Sequence, residues 1–150
     1  MMTTRQAAQL IHDALAAAIS NDINRAVELV TQLVTDSDAT RMYSVCTAFA
    51  EAGHRALRYT FGDKAPRPEN GDFWIVEQLE EGTLDAAPAQ AFASRFLIAH
   101  CNGDQASTTA QYETALIAGP EVFVGGVMRL VADVAGLART AIKELEARES

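Results

Sequence analysis

Between Ala39 and Phe61 the chain repeats apolar or small residues at every third or fourth position: Met42, Val45, Cys46, Phe49, Gly53, Ala56 and Thr60. That spacing follows the period of an α-helix and puts all of them on one face. Arg41, Ser44, Glu51, Arg55 and Arg58 fall on the other side. Glu51 stands four residues before Arg55, the order that supports a wet helical face. Asp38 supplies an N-cap, and Gly62 can adopt the left-handed conformation that stops a helix. Such a helix is about 35 Å long, the width of a small domain, so the other elements are expected to pack along it.

The same punctuation continues on both sides. Thr3 or Thr4 caps a first helix to about Ser20, with Leu10, Ile11, Ala14, Leu15 and Ala18 inward. Asp22 caps a second helix, whose stripe is Ile23, Ala26, Val27, Val30, Leu33 and Val34. Residues 62–71 hold two prolines and two glycines and form a surface linker. A short helix over Asp72–Glu81 follows, with Phe73, Val76 and Leu79 inward and Trp74 toward the flank. Asp85 or Ala87 starts a fifth helix, which Asn102-Gly103 ends and in which Phe92, Phe96, Leu97 and Ala99 face inward. Asp104 caps a sixth helix with Tyr112 and Leu116 inward, and Gly119-Pro120 opens the last. Its stripe is Phe123, Val127, Leu130, Val131, Val134, Ala138, Ala141 and Leu145.

With 28 alanines, only four prolines and few β-branched runs, the expected fold is all-α. It is a single-domain bundle of about seven helices over residues 1–150, with helical halves 3–61 and 72–148 and the long helices 39–61 and 121–148 at its centre. A shift of 82 residues lays Asp22 on Asp104, Val45 on Val127, Ala50 on Ala132, Glu51 on Asp133 and Ala56 on Ala138. This is a weak internal pseudo-repeat; identities are few, and an alanine-rich chain produces several by chance. Gly53, Gly125, Gly126, Ala132 and Gly136 are expected to let the two long helices approach closely.

The net charge of −8, with no basic run, opposes nucleic acid and anionic membranes as partners. No apolar stretch reaches the length of about 18 residues that a membrane helix needs. Asp13 interrupts the alanine-rich N-terminus, which reads as an amphipathic helix and not a signal peptide. Cys46 and Cys101 sit in apolar helical settings and read as reduced, buried thiols of a cytoplasmic protein. A Ser-His-Asp set, a phosphate loop after a strand and a Cys-x-x-Cys are all missing from the sequence. His100 and Cys101 are adjacent, so they diverge around a helix and do not form a nucleophilic pair. His100 reads as a core-edge histidine near a helix C-terminus.

The expected function is therefore non-enzymatic. The chain reads as a regulatory, adaptor or scaffolding protein that works through protein contacts, self-associates as a homodimer and carries no cofactor. Phe73 and Trp74, rimmed by Glu77, Glu80 and Glu81, are the first candidate contact surface, because aromatics concentrate binding energy at interfaces. Arg55 and Arg58 form a second, in a basic neighbourhood with His54, Lys64 and Arg67 that can pair with the acidic stretch after it. An alternative is a small apolar ligand held in the bundle by Met42, Phe49, Tyr112, Phe123 and Met128, although such residues usually make plain core. The weakest alternative is a metal site at Glu51 and His54. Glu-x-x-His is the spacing of bundle di-iron sites, but these need a second copy of the motif, and the 82-residue shift offers Asp133 and Gly136 instead. Pairing of Glu51 with Arg55 on a solvated flank is the plainer reading.

Overall fold

Four helices begin at a side chain that accepts a free backbone N–H of the first turn. Thr3 and Gln6 form a reciprocal capping box before α1 (Thr4–Ile19). Asp22 caps α2 (Ile23–Thr35), Asp38 caps α3 (Ala39–Phe61) and Asp104 caps α5 (Gln105–Ala118), each through the N–H three residues on. The other two, α4 (Pro88–Cys101) and α6 (Pro120–Glu149), open on a proline, whose missing N–H costs nothing there. The computed structural model describes residues 2–75 and 87–149, and among these the chain is six α-helices, two short 3-10 turns and no strand. It is an all-α bundle. The expected helix over 72–81 is not found at 72–75, which run without regular structure; the rest of it lies outside the described residues. No helix among the described residues is long and apolar enough to cross a membrane.

The helices are not all antiparallel neighbours. The Arg41 guanidinium donates to the Met2 carbonyl at 2.9 Å, so α1 and α3 start side by side. Met42 shares a pocket wall with Phe123, Gly53 faces Val134, and the Arg148 guanidinium lies 4.6 Å from the centre of the Tyr59 ring. Hence α3 and α6 run in the same direction, and this pair packs most extensively. Gly125 faces Ala89, while Val134 and Leu97 both meet at Gly53, so α4 is parallel to them as well. The short turns make α2 and α5 the two reversed helices. Because α3 and α4 run the same way, the connection between them joins opposite ends of the bundle, which is why it alone is long.

The 82-residue shift holds at the level of elements: α2 moved by 82 covers 105–117, against Gln105–Ala118 for α5, and α3 covers 121–143, against Pro120–Glu149 for α6. The first turns correspond in detail. Asn21 and Gly103 have φ of 62° and 69°, and the N–H groups of Asp22 and Asp104 donate to Ala17 and Ala99 at 2.8 and 2.9 Å. Packing departs from the repeat in one place. Helix α4 lies broadly against α6, whereas α1 touches α3 lightly. Gly125 and Gly126 on α6 admit Ala89 and Phe92 of α4; the equivalent positions on α3 are Tyr43, which packs on Phe96 of α4 and Tyr112 of α5, and Ser44, which is exposed. The α6 glycines thus serve α4 and not the pair of long helices, Gly136 faces open space, and Ala132 is exposed.

The stripe of α3 is buried as expected, with Ala50 added and Thr60 at its edge. Phe49, Phe96, Leu33, Leu130, Val30, Val45, Val127, Val131 and Val134 form the innermost layer. Besides Phe73, four expected core residues stand out in solvent: Ile23 and Val27 of α2, Leu116 of α5 and Leu145 of α6. Helices α2 and α5 lie on the outside and bury a narrow face, so a wide apolar pattern leaves residues over. In α2 Leu29 takes an inner place instead. Cys46 is fully buried and Cys101 nearly so, and burial pushes both thiols up to about 12. Neither is expected to react with a disulfide reagent in the native protein at mildly alkaline pH, while both react in denaturant. A titratable thiol under native conditions counts against this packing.

Candidate functional site

Gly53 is the residue that brings two helices together at one corner. A Cβ there would lie 3.0 Å from Val134 and 3.1 Å from Leu97, so α4 approaches α3 more closely than a larger residue allows. That approach carries His100, in the last turn of α4, onto Glu51 and His54 of α3. The Glu51 Oε1 atom faces two imidazoles at once, His54 Nδ1 at 3.3 Å and His100 Nε2 at 3.1 Å. One potential ligand atom from each of the three residues lies within 4.8 Å of the others. Arg55 stands at 3.6 Å from the other carboxylate oxygen, so the expected Glu51–Arg55 pair is present, but Glu51 is not simply a solvated flank. Its side chain is 36% exposed, against 17% for His54 and 24% for His100, which leaves the cluster half-buried and reachable.

The electrostatics follow from that placement. Burial alone would raise the Glu51 carboxyl, but hydrogen bonds from His100 and His54, together with their charges, hold it below its ordinary value. Burial, then the nearby Arg58 charge, pushes His54 below the usual imidazole range against the pull of Glu51. Cys101 is close enough for Glu51 to raise its thiol further, which keeps it protonated.

Trp74 closes the corner. It is 8% exposed, and its ring stands edge-to-face against His54 at 6.2 Å and Phe61 at 5.8 Å. Asn102, just past α4, accepts from the Trp74 N–H at 2.7 Å and donates to its carbonyl at 3.0 Å, pinning this segment to the end of α4. The Trp74 Nε1–H is buried without an acceptor among the described residues. Orientation is thus reversed from the sequence expectation: Trp74 points inward, while Phe73 is 60% and Ile75 78% exposed. The two candidate surfaces meet here, since Trp74 packs on the helix face that carries His54, Arg55 and Arg58. Arg58 is exposed and forms no ion pair among the described residues. Glu77, Glu80 and Glu81, together with Val76 and Leu79, lie outside the described residues.

Of the five residues of the ligand alternative, Met42, Tyr112 and Phe123 line a pocket of about 270 Å³ at the start of α3 and α6. Phe49 lies fully buried in the core, and Met128 packs at its edge. Tyr112 is held by rings on both sides, Tyr43 at 5.2 Å and Phe123 at 5.6 Å, and its hydroxyl donates to the Ala39 carbonyl. Local pattern reads His100 only as a core-edge histidine and Asn102 only as a helix end, and it does not single out Phe61 or Ile75. Comparison with protein-family models, with curated proteins and with solved structures gave no match to this chain.

Proposed function

We propose that the protein is a non-enzymatic helical protein of regulatory or scaffolding kind that acts through surface contacts at the Trp74 corner, and that its first partner is a second copy of itself. One observation carries this reading: Phe61, Phe73 and Ile75 stand 49%, 60% and 78% exposed around a single buried tryptophan. Large apolar side chains grouped in water mark contact surfaces, whereas singly scattered ones need no explanation. The choice of a second copy rests on charge. The patch carries exposed cations, Arg55 and Arg58, and its chain continues into Glu77, Glu80 and Glu81. A chain that carries both signs close together in sequence has the charges to pair with a second copy of itself.

The test is sedimentation of the untagged protein and of a Phe73→Glu, Ile75→Glu double variant. Both residues are exposed, so the variant is expected to keep its helical spectrum and nearly all its stability. The native chain is expected to sediment as a dimer at micromolar concentration and the variant as a monomer. A monomeric native chain, or a variant that still dimerises, removes the proposal. Trp74→Ala is the wrong probe, because it empties a buried position and confounds contact with folding.

A further inference from the structure

We propose that Glu51, His54 and His100 bind one divalent first-row transition ion, with zinc the ion to which the donor set is best suited. Two imidazole nitrogens beside one carboxylate oxygen make a donor set that zinc, iron and nickel take, whereas calcium and magnesium take all-oxygen sets. Zinc sites with three protein ligands keep a fourth position for water, whereas closed structural sites use four. The spacing fits. With bonds of about 2.0–2.1 Å, a tetrahedral centre sets its ligands about 3.3–3.4 Å apart. Here the shared oxygen lies 3.3 and 3.1 Å from the two nitrogens, and the three atoms all lie within 4.8 Å of one another. An ion entering the triangle therefore replaces two hydrogen bonds with three metal bonds as the two imidazoles turn toward it.

The three ligands come from rigid parts of the fold. Glu51 and His54 are one turn apart in mid-α3, and His100 is fixed by the Gly53–Leu97 contact between α3 and α4. Arg55 engages only the second carboxylate oxygen, which leaves Oε1 for the ion. A second observation points to the same place: the corner holds a buried indole N–H without an acceptor among the described residues, on the ring packed against His54. Water or an anion on the open position of the ion is a source of such an acceptor. Without an ion the same three groups make a hydrogen-bonded triad, so the two accounts differ in uptake of metal and not in shape.

The experiment uses untagged protein stripped with chelator and probed with zinc chloride and cobalt chloride. One equivalent of zinc is expected to bind, and at a hundredfold excess over Kd to raise Tm by about 5–10 °C. Cobalt is expected to quench the emission of Trp74, the chain's one tryptophan, in a saturable manner that zinc reverses. His100→Gln keeps a hydrogen-bonding side chain of similar reach beside Glu51. It is expected to weaken zinc binding by more than the 10–100-fold or so that follows loss of an outer-shell partner. Retention of under about 0.1 equivalent with no thermal shift overturns the proposal and leaves the triad a hydrogen-bonded network. Equal affinity in His100→Gln overturns it too. If that variant does not fold, unsaturable or zinc-insensitive quenching in the native protein has the same force. The Phe73 and Ile75 double variant keeps all three ligands, so loss of dimers and loss of metal are read separately.

Discussion

Phe49→Ala is expected to lower the unfolding free energy by about 3–5 kcal/mol, a large part of the 5–15 kcal/mol or so that holds a domain together. Phe49 sits midway along α3, the helix most broadly packed on α6, and none of its side chain reaches solvent. Truncation removes apolar area from a place where rigid helices on both sides cannot close in, so the cost of the void adds to the lost transfer energy. In a chain of this size each kcal/mol moves Tm by about 2–4 °C, which places the expected drop near 6–20 °C. Phe73→Ala is the matched control. It deletes the same atoms from a side chain that is already 60% exposed and is expected to change stability by no more than about 0.5 kcal/mol. Urea midpoints at unchanged m-value measure both. A Phe49 loss below about 1 kcal/mol would mean that the space around it can collapse, contrary to the packing described.

That contrast between two phenylalanines marks what the sequence makes legible. The stripe containing Phe49 could be read because α3 is buried along one face for its whole length, so periodicity and burial coincide. Caps could be read for a related reason: Asp22, Asp38 and Asp104 act on an N–H three residues away, an interaction local in the chain. Phe73 and Trp74 could not be sorted by the same means. Helical periodicity does not govern a segment that is without regular structure at 72–75, and its inward residue is decided by Asn102, which pins the Trp74 backbone from 28 positions away. Ile23 and Val27 failed differently. Their stripe is genuine, but an outer helix has fewer neighbours than apolar residues, and periodicity carries no information on how many neighbours there are. At the corner, Glu51 and His54 were readable as a pair because they share a turn. His100 joins them across 49 positions, and the only hint in the chain is the glycine between the other two.

Glycine to alanine substitutions within one helix separate local preference from packing, and α6 offers three for comparison. In a helix interior alanine is favoured over glycine by about 1 kcal/mol. Gly136→Ala meets only the far end of the Arg139 side chain, at 4.0 Å, so that preference is expected to appear as a gain of up to about 1 kcal/mol. Gly125→Ala places its methyl 3.5 Å from Ala89, an ordinary contact, and is expected to be neutral or slightly stabilising. Gly126→Ala drives its methyl to 2.8 Å from the Phe92 ring. That ring is 4% exposed and backed by Phe96 at 5.3 Å, which is itself fully buried, so it has nowhere to retreat. Overpacking of this kind costs about 1–3 kcal/mol, and the net effect is expected to be a loss despite the better helix former. The two ends of the series should therefore lie about 2–3 kcal/mol apart, or roughly 5–10 °C in Tm, in opposite directions from the native chain. Thermal melts of the three single variants measure this. If Gly126→Ala is as stable as Gly136→Ala, then α4 is not seated on α6 through Phe92.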